Sequence, residues 1–176
     1  MREYDAAAHL YDLRYAEEQT AKYKAALEGI SIKKHDIVLD VGCGTGLLFN
    51  HIASKAEILI GLDISRKTLL RANQRAKNST NVQLILADAD YLPLKNSVFD
   101  HVFAVTVIQN APKPEKTLNE IKRVAKKDAV VVVSGLKKKF SSEAFAELLR
   151  KLSLNLVEMK NGNLKCYVAV CSNKTP

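Results

Sequence analysis

Short apolar runs alternate with amphipathic stretches from about residue 15 to the end of the chain. The apolar runs are rich in Val, Ile and Leu, which is typical of strands buried on both faces of a sheet. The stretches between them favour helices. The predicted strands are 36–41, 56–63, 82–88, 99–108, 129–135, 154–160 and 164–172, and the predicted helices are 15–29, 46–54, 65–78, 114–125 and 141–152.

This alternation predicts a single α/β domain over residues 1–176. Buried strands connected by helices form a parallel sheet covered on both faces, and right-handed crossovers make that sheet doubly wound. The last two strands are joined by the sequence NGN, which is a hairpin signal. We therefore expect a doubly wound, mostly parallel seven-stranded sheet with helices on both faces and an antiparallel C-terminal hairpin strand.

Composition and charge narrow the functional classes. The 176 residues are 47% hydrophobic and 26% charged, as in ordinary globular domains. No apolar run approaches the roughly 18 residues of a membrane-spanning helix, and the charged N-terminus lacks a signal-peptide core, so we expect a cytoplasmic protein. The net charge of +8 and the pI of about 9.4 favour anionic partners, nucleic acid above all. Lysine-rich surfaces are also common on stable proteins from hot environments.

The three cysteines are interpreted as reduced and structural. Cys43 lies in a glycine-rich turn, and Cys166 and Cys171 are five residues apart on one predicted strand. Because side chains alternate along a strand, these two are expected on opposite faces of the sheet, which argues against a bridge between them. No CxxC pair or Cys/His cluster indicates a metal site.

A glycine-rich turn follows the first strand, with Gly42, Gly44 and Gly46 at every second position. Glycines let a backbone approach a ligand closely and adopt positive φ, and the helix behind such a turn presents unpaired N–H groups. The dinucleotide pattern GxGxxG is one residue longer than the GxGxG found here. The turn alone therefore predicts a nucleotide-like ligand without saying which one.

Three aspartates near the ends of successive strands sharpen that prediction: Asp40, Asp63 and Asp88. A carboxylate at Asp40 would repel a pyrophosphate and suit a positively charged amino-acid group. Asp63 is placed for the two hydroxyls of a ribose, and Asp88 for the exocyclic amine of an adenine. Each acid alone is equally consistent with a solvated loop or a helix cap. Together they describe S-adenosylmethionine (SAM), and they disfavour a dinucleotide-binding oxidoreductase.

The sequence resembles the class I (Rossmann-like) SAM-dependent methyltransferases, in a small form without an inserted substrate domain. The segments VLDVGCGTG (38–46) and GLDIS (61–65) are similar to the first two motifs of that family. ADADYLPLKNSVFDHV (87–102) and VTVIQNAPKPEKTLNEIKRVAK (105–126) are similar to its third motif and to the segment after the fourth strand. One departure is AKKDA (125–129), where the family usually has a KPGG-like turn. We expect this change to affect local shape and not activity.

The resemblance implies a set of cofactor contacts. They are Asp40, Gly42, Gly44 and Thr45 at the methionine end, Asp63 at the ribose, Ile64, Asp88 and Ala89 at the adenine, and Val105 or Thr106 at the sulfonium. Residues 1–30 would form an N-terminal lid segment and helix. Tyr4 and Tyr11 would close over the cofactor, although ordinary aromatic packing is an equal alternative.

The methyl acceptor is less well indicated. Methyl transfer from a sulfonium needs alignment more than a base, and the weak catalytic candidates are Tyr11 and Asn110. The segment after the fourth strand, QNAPKP (109–114), lacks the proline pair and aromatic residue that hold planar amines or amides. The small size leaves few residues for a closed pocket, so either the N-terminal segment forms the whole lid or a partner protein or macromolecular substrate completes the site. Together with the charge, this favours a macromolecular acceptor, RNA or a translation-related protein. The resemblance to a family in which some small members need a separate activating subunit supports such a partner here. A small-molecule methyltransferase and a non-catalytic SAM-binding subunit are the alternatives.

Overall fold

The computed structural model describes residues 17–173. Helix α1 covers residues 17–27 of this part. The remaining elements follow in the order β1 (Ile37–Val41), α2 (Phe49–Ile52), β2 (Ile58–Asp63), α3 (Arg66–Arg75), β3 (Val82–Leu86), β4 (Phe99–Ala104), α4 (Pro114–Val124), β5 (Ala125–Leu136), α5 (Ser142–Lys151), β6 (Asn155–Lys160) and β7 (Cys166–Ser172). No helix among these residues is long and apolar enough to cross a membrane.

In the described part of the chain the strands form one seven-stranded sheet in the order β3-β2-β1-β4-β5-β7-β6. Strands β1 to β5 pair in parallel, while β7 is antiparallel to both of its neighbours, β5 and β6. The chain reverses direction across the sheet at β1 and β4, which is the topological switch point. The predicted fold class, including the antiparallel hairpin strand, is confirmed.

The apolar core lies on both faces of the sheet. Alternate residues of one strand point to opposite faces, so Leu39 joins a cluster with α4 and α5, and Val38 joins one with α2 and α3. Cys171 belongs to the first cluster and Cys166 to the second, which confirms the prediction that they face opposite ways. All three cysteines are free and buried, and burial raises the pKa of the Cys171 thiol to about 12.

Helix capping follows the sequence closely. The Ser65 side chain accepts a hydrogen bond from the Thr68 amide at the start of α3, and the Ser141 side chain accepts one from the Ala144 amide at the start of α5. Each serine thereby satisfies one of the amide groups that a first helical turn leaves unpaired. Both helices thus begin at a serine N-cap.

Two element boundaries differ from the prediction because of backbone turns. The helix expected over 46–54 is limited to Phe49–Ile52, since Gly42, Gly44 and Gly46 all have positive φ and the chain turns before it becomes helical. The fourth strand ends at Ala104 instead of 108, because Thr106 adopts a left-handed conformation with φ of 69°. Both turns lie at the carboxyl edge of the sheet.

His101 lies near the start of β4 and is buried. Its Nε2 lies 2.9 Å from Oδ2 of the buried Asp36. Burial raises the pKa of Asp36, but hydrogen bonds from the Lys33 amide and from His101 outweigh burial and leave that pKa below its usual value. This pair is structural and connects the start of β1 to the start of β4, at the edge opposite to the ends of these strands.

Asp128 lies in β5, at a position where the resembling family usually has the glycine of a turn, and its φ is 65°. A left-handed backbone costs a residue with a Cβ about 1–2 kcal/mol, less for Asp, while glycine loses more entropy on folding. We expect Asp128→Gly to raise the free energy of unfolding by about 0.5 kcal/mol. Asp128→Ala is the matched control and should lower it. Urea denaturation measures the free energy of unfolding of both variants. A Gly variant that is less stable than the unmodified protein would show that the Asp128 side chain itself stabilises the fold.

Candidate functional site

The carboxyl ends of β1, β2, β3 and β4 meet at one edge of the sheet and surround a cleft of about 340 Å³. Several residues predicted from the sequence line it together: Gly42, Asp63, Ile64, Asp88, Ala89 and Asn110. They come from four separate loops, and they meet because parallel strands place their carboxyl ends side by side. Tyr4 and Tyr11 lie outside the described residues.

Asp40, next to the last residue of β1, is not among the residues that line the cleft. It is 1% exposed, and its Oδ2 has no hydrogen-bond partner. Burial, and secondarily the nearby Asp63 carboxylate, raise the pKa of Asp40 well above its usual range. A buried carboxyl oxygen without a partner is costly, and a cationic group beside it would offset that cost. Asp40 is therefore suited to a ligand with positive charge.

Asp63 ends β2 and holds the glycine turn in place. Its Oδ2 accepts a hydrogen bond from the Gly44 amide at 2.8 Å. Its Oδ1 accepts from the Ser65 amide at 2.8 Å and from the Thr68 hydroxyl at 3.1 Å. A carboxylate has about four acceptor positions, so the predicted grip on two ribose hydroxyls would have to share oxygens that already accept protein donors. This network fixes the orientation of the carboxylate toward the cleft.

Gly42 is required by both conformation and space. Its φ is 66°, and a Cβ at this position would lie 2.6 Å from Cγ2 of Val107. Gly44 also has positive φ, of 55°, but a Cβ there would meet nothing within 4 Å. Gly44 and Thr45 continue the turn beyond the residues that line the cleft. The turn thus brings its backbone against Val107 at one glycine and leaves open space at the next.

Gly42→Ala should lower the free energy of unfolding by about 1–3 kcal/mol, because the new methyl group overlaps a stiff β-branched side chain. Gly44→Ala introduces the same left-handed strain without the overlap and should cost less. Gly162→Ala is the neutral control, since its Cβ would meet nothing within 4 Å and it lies in the β6–β7 loop. Thermal or urea unfolding of the three variants gives the order. Equal losses for Gly42 and Gly44 would show that the contact with Val107 is unimportant.

Val105 does not line the cleft. It is 4% exposed and packs in the core cluster of α2 and α3, whereas Val107 lines the cleft in its place. The left-handed Thr106 between them redirects the chain, which periodicity along a strand could not reveal. The other cleft residues missed from the sequence are mostly small or apolar: Leu62, Ala87, Asp90, Ala111, Pro112 and Thr117. Of these residues, Asp90 could have been proposed from the sequence, because it is a second carboxylate two residues after Asp88.

The loop after β3 is tied to itself and to α4. The Asp88 Oδ1 accepts a hydrogen bond from the Asp90 amide at 2.9 Å. The Asp90 carboxylate accepts in turn from the hydroxyl of Thr117, a buried residue of α4. Exposed Ile64 lies across the cleft opening, 71% accessible to solvent. The cleft lining therefore combines the carboxylates of Asp63, Asp88 and Asp90 with the apolar side chain of Ile64, which is available to pack against a planar group.

A second polar cluster lies where β4 and β5 end, beside the glycine turn. The Thr106 amide donates to the Ser134 hydroxyl at 2.7 Å, and the Thr106 hydroxyl donates to Oε1 of Gln19 at 3.0 Å. Lys22 Nζ lies 3.4 Å from the same hydroxyl oxygen, with its side chain only 3% exposed. The Gln19 amide nitrogen is buried without a partner. These contacts anchor α1 on the carboxyl edge, and sequence patterns gave no indication of them.

Among residues 17–173, no group of three or more His, Cys, Asp or Glu side chains is placed to hold a metal ion. None of the described cleft residues is a histidine. Asn110 is exposed at the cleft, and its side-chain amide donates to the Thr106 carbonyl at 3.1 Å. The site therefore offers hydrogen bonds, carboxylates and apolar surface for holding and orienting a ligand.

Comparison with known proteins gives a consistent result. A family model described as a methyltransferase domain matches residues 39–133. The uncharacterized protein MJ1252 of Methanocaldococcus jannaschii is 35% identical over 129 residues, which are 73% of this chain and 48% of that protein. The malonyl-[acyl-carrier protein] O-methyltransferase of Marinomonas sp. is 28% identical over an alignment of 189 positions, which covers 94% of this chain and 70% of the relative. The chain thus spans about half the length of the first relative.

Among solved structures, a methyltransferase of Haloferax volcanii in complex with the activator Trm112 is similar to this chain. The TM-score is 0.81 at 17% sequence identity, and the match covers 96% of both chains. At this level of identity the likeness concerns the fold. It extends over nearly the whole length of both proteins.

Proposed function

This chain belongs to the family of class I SAM-dependent methyltransferases, and on that premise we propose that it transfers the methyl group of SAM to a macromolecular acceptor. The observation that carries the proposal is that Asp63 and Asp88 line one cleft at the carboxyl edge of the sheet, while the buried Asp40 lies close enough to Asp63 for the two carboxyl groups to interact. Asp40 contributes a buried carboxyl oxygen without a partner, which suits an ammonium group. The donor set contains acceptors for hydroxyls and amines and fits SAM better than a phosphate-bearing dinucleotide.

Each residue has a proposed role. Asp40 holds the amino group of the methionine end, with Gly42, Gly44 and Thr45 providing the close backbone surface there. Asp63 accepts hydrogen bonds from the ribose, and Asp88 accepts from the adenine amine, with Ala89 and Ile64 against the ring. Val107, in place of Val105, lies nearest the sulfonium side of the turn. Residues 1–30 are proposed as a lid segment and helix that complete a single domain, with Tyr4 and Tyr11 as its aromatic contacts.

The chemistry asks little of the protein beyond positioning. SAM supplies a methyl group already activated on a sulfonium. The protein then has to align an acceptor on the far side of that methyl group and exclude water from the line of displacement. Thr106, Gln19 and Lys22 form a polar cluster after β4, and Asn110, which lines the cleft, is the candidate contact to the acceptor. An acceptor that arrives deprotonated would need no general base.

A macromolecular acceptor, RNA or a translation-related protein, is favoured by the net charge of +8 and by a cleft that opens to solvent. A small-molecule acceptor is the second candidate, because the curated relatives include demethylmenaquinone and ubiquinone biosynthesis methyltransferases. Incubation with methyl-labelled SAM and total RNA, total protein or a small-molecule extract separates them. Label in RNA or protein supports the first candidate, and label confined to small molecules supports the second. No label in any pool, with SAM still bound, would indicate a non-catalytic SAM-binding subunit.

We also propose that a small activating subunit assists this chain. The support is the likeness to the Haloferax volcanii methyltransferase, which was solved with its activator Trm112. Purification of the tagged chain from its native organism, followed by light scattering, tests this. A stoichiometric small partner that raises the labelling rate is expected. A chain that stays alone and is fully active would contradict the proposal.

A further inference from the structure

The segment between Asp63 and Asp88 is unusual in charge. It contains five Lys or Arg residues and no Asp or Glu, so its net charge is +5, while the net charge of the whole chain is +8. Four of the five lie on α3, and Lys77 follows its end. All five are exposed: Arg66, Lys67, Arg71, Arg75 and Lys77. The longer helices α1, α4 and α5 of the described part carry acids among their cations.

The charges at the start of α3 oppose the stability of the helix. Arg66 and Lys67 occupy the first turn of α3, which has no acidic residue, although the positive end of the helix dipole disfavours cations there by about 0.3–1 kcal/mol each. Lys67, Arg71 and Arg75 follow one another at intervals of four residues, where like charges repel by about 0.2–0.5 kcal/mol per pair. In α4 and α5 the first turn carries Glu and the last turn carries cations. The cations of the first turn of α3 therefore do not stabilise the helix, whereas Arg75 lies in the last turn, where the helix dipole favours a cation.

From this we infer that the exposed face of α3 binds the phosphate backbone of an RNA. The inference rests on the proposed macromolecular acceptor and names its class. The face borders the cleft, because Ser65 at the start of α3 follows Asp63 and Ile64 directly. At its other end, the Arg75 Nε donates to the carbonyl of Thr45 in the glycine turn, at 2.9 Å. A backbone held along α3 would thus lie beside the cofactor site.

The spacing of the cations suits a repeating anion. With a rise of about 1.5 Å per residue, Lys67, Arg71 and Arg75 lie about 6 Å apart along one stripe. Regularly spaced phosphates on a nucleic acid strand match such a ladder, and guanidinium groups bind phosphate oxygens in pairs.

Other anionic partners fit this face less well. Leu69 and Ala72 of α3 are buried, and Leu70 is its one exposed large apolar residue, so the helix lacks the broad apolar face that inserts into a lipid surface. A protein interface would be depleted in Lys, whereas Lys67 and Lys77 are two of the five cations.

The chain offers a closely matched pair of variants. The dipeptide Arg66-Lys67 starts α3, and the same dipeptide, Arg150-Lys151, ends α5. All four residues are exposed. The test variant is Arg66→Gln/Lys67→Gln, and the control is Arg150→Gln/Lys151→Gln, which removes the same charges from the same residue types. A fluorescein-labelled oligouridylate is titrated with each protein over a range of salt concentrations. Calorimetry with SAM and thermal unfolding accompany every variant.

The test variant should bind the oligonucleotide more weakly, with a salt slope reduced by about 1.4, the value for two lost phosphate contacts on a single strand. It should bind SAM as before and unfold at the same or a slightly higher temperature, because the cations of the first turn oppose the dipole. The control should keep the salt slope and lose a little stability. Equal slopes for both variants would overturn the inference, as would tighter binding to polyglutamate or to phosphatidylserine vesicles than to RNA. If the unmodified protein does not bind SAM, that result would instead count against the proposed function.

Discussion

Asp63→Ala is expected to lower the affinity for SAM by about 100-fold or more. Two hydroxyl hydrogen bonds to a carboxylate are worth about 1.5–3 kcal/mol each, and every 1.4 kcal/mol is a factor of ten in affinity. The same carboxylate holds the Gly44 amide at 2.8 Å and the Ser65 amide at 2.8 Å, so its removal also loosens the glycine turn. Both effects act on the same binding site.

The loss of affinity must be separated from loss of folding. Calorimetric titration gives the affinity, and urea denaturation of the same samples shows whether the variant is folded. Thr68→Val is an intermediate variant, since it removes a hydroxyl that lies 3.1 Å from Asp63 Oδ1 and 2.8 Å from the Ser65 carbonyl oxygen, and it should cost a few-fold in affinity. Asp128→Ala is the control for removing an aspartate away from the cleft. Affinity that is unchanged in Asp63→Ala would remove this residue from the site.

Asp40→Asn is expected to act in opposite directions on stability and on binding. Asp40 is buried with one oxygen unpaired, and burial raises its pKa well above the usual range. In the ligand-free protein the neutral amide avoids the cost of a buried charge, so the free energy of unfolding at neutral pH should rise by about 1 kcal/mol. SAM affinity should fall at least about tenfold, because the amide cannot neutralise an ammonium group.

The pH dependence distinguishes this explanation from simple repacking. In the unfolded chain Asp40 ionises at about pH 3.9, while in the folded protein it holds its proton to higher pH. Between these two pH values the folded state binds more protons, so the stability of the ligand-free protein falls as pH rises. Asp40→Asn should lack this fall, and its advantage over the unmodified protein should therefore grow with pH. A variant that is less stable at neutral pH and binds SAM normally would contradict the role given to Asp40.

The sheet and the three acids could be predicted from the sequence for a common physical reason. Buried parallel strands read as continuous apolar runs, and their carboxyl ends must share one edge, so residues just after each run have to meet. Asp63, Asp88 and Gly42 line one cleft as that argument requires. The hairpin could also be predicted, because NGN between two apolar runs favours an antiparallel connection between neighbouring strands.

The parts that could not be predicted depend on contacts distant in sequence. Thr106 leaves the strand because its amide and hydroxyl bond to Ser134 and Gln19, and this turn exchanges Val105 for Val107 at the cleft. His101 is buried because Asp36, 65 residues earlier, lies within 2.9 Å of its ring nitrogen. Local propensity contains no information about either partner. The lid roles of Tyr4 and Tyr11 stay predictions, since both residues lie outside the described part of the chain.

The central claim is that the cleft at the carboxyl edge binds SAM. Parallel calorimetric titrations of the unmodified protein with SAM and with NADH test it most directly. The structure predicts one SAM site per chain, competition by S-adenosylhomocysteine, and no heat with NADH, because the buried Asp40 carboxyl suits an ammonium and disfavours a pyrophosphate. Binding of NADH without binding of SAM would contradict the account.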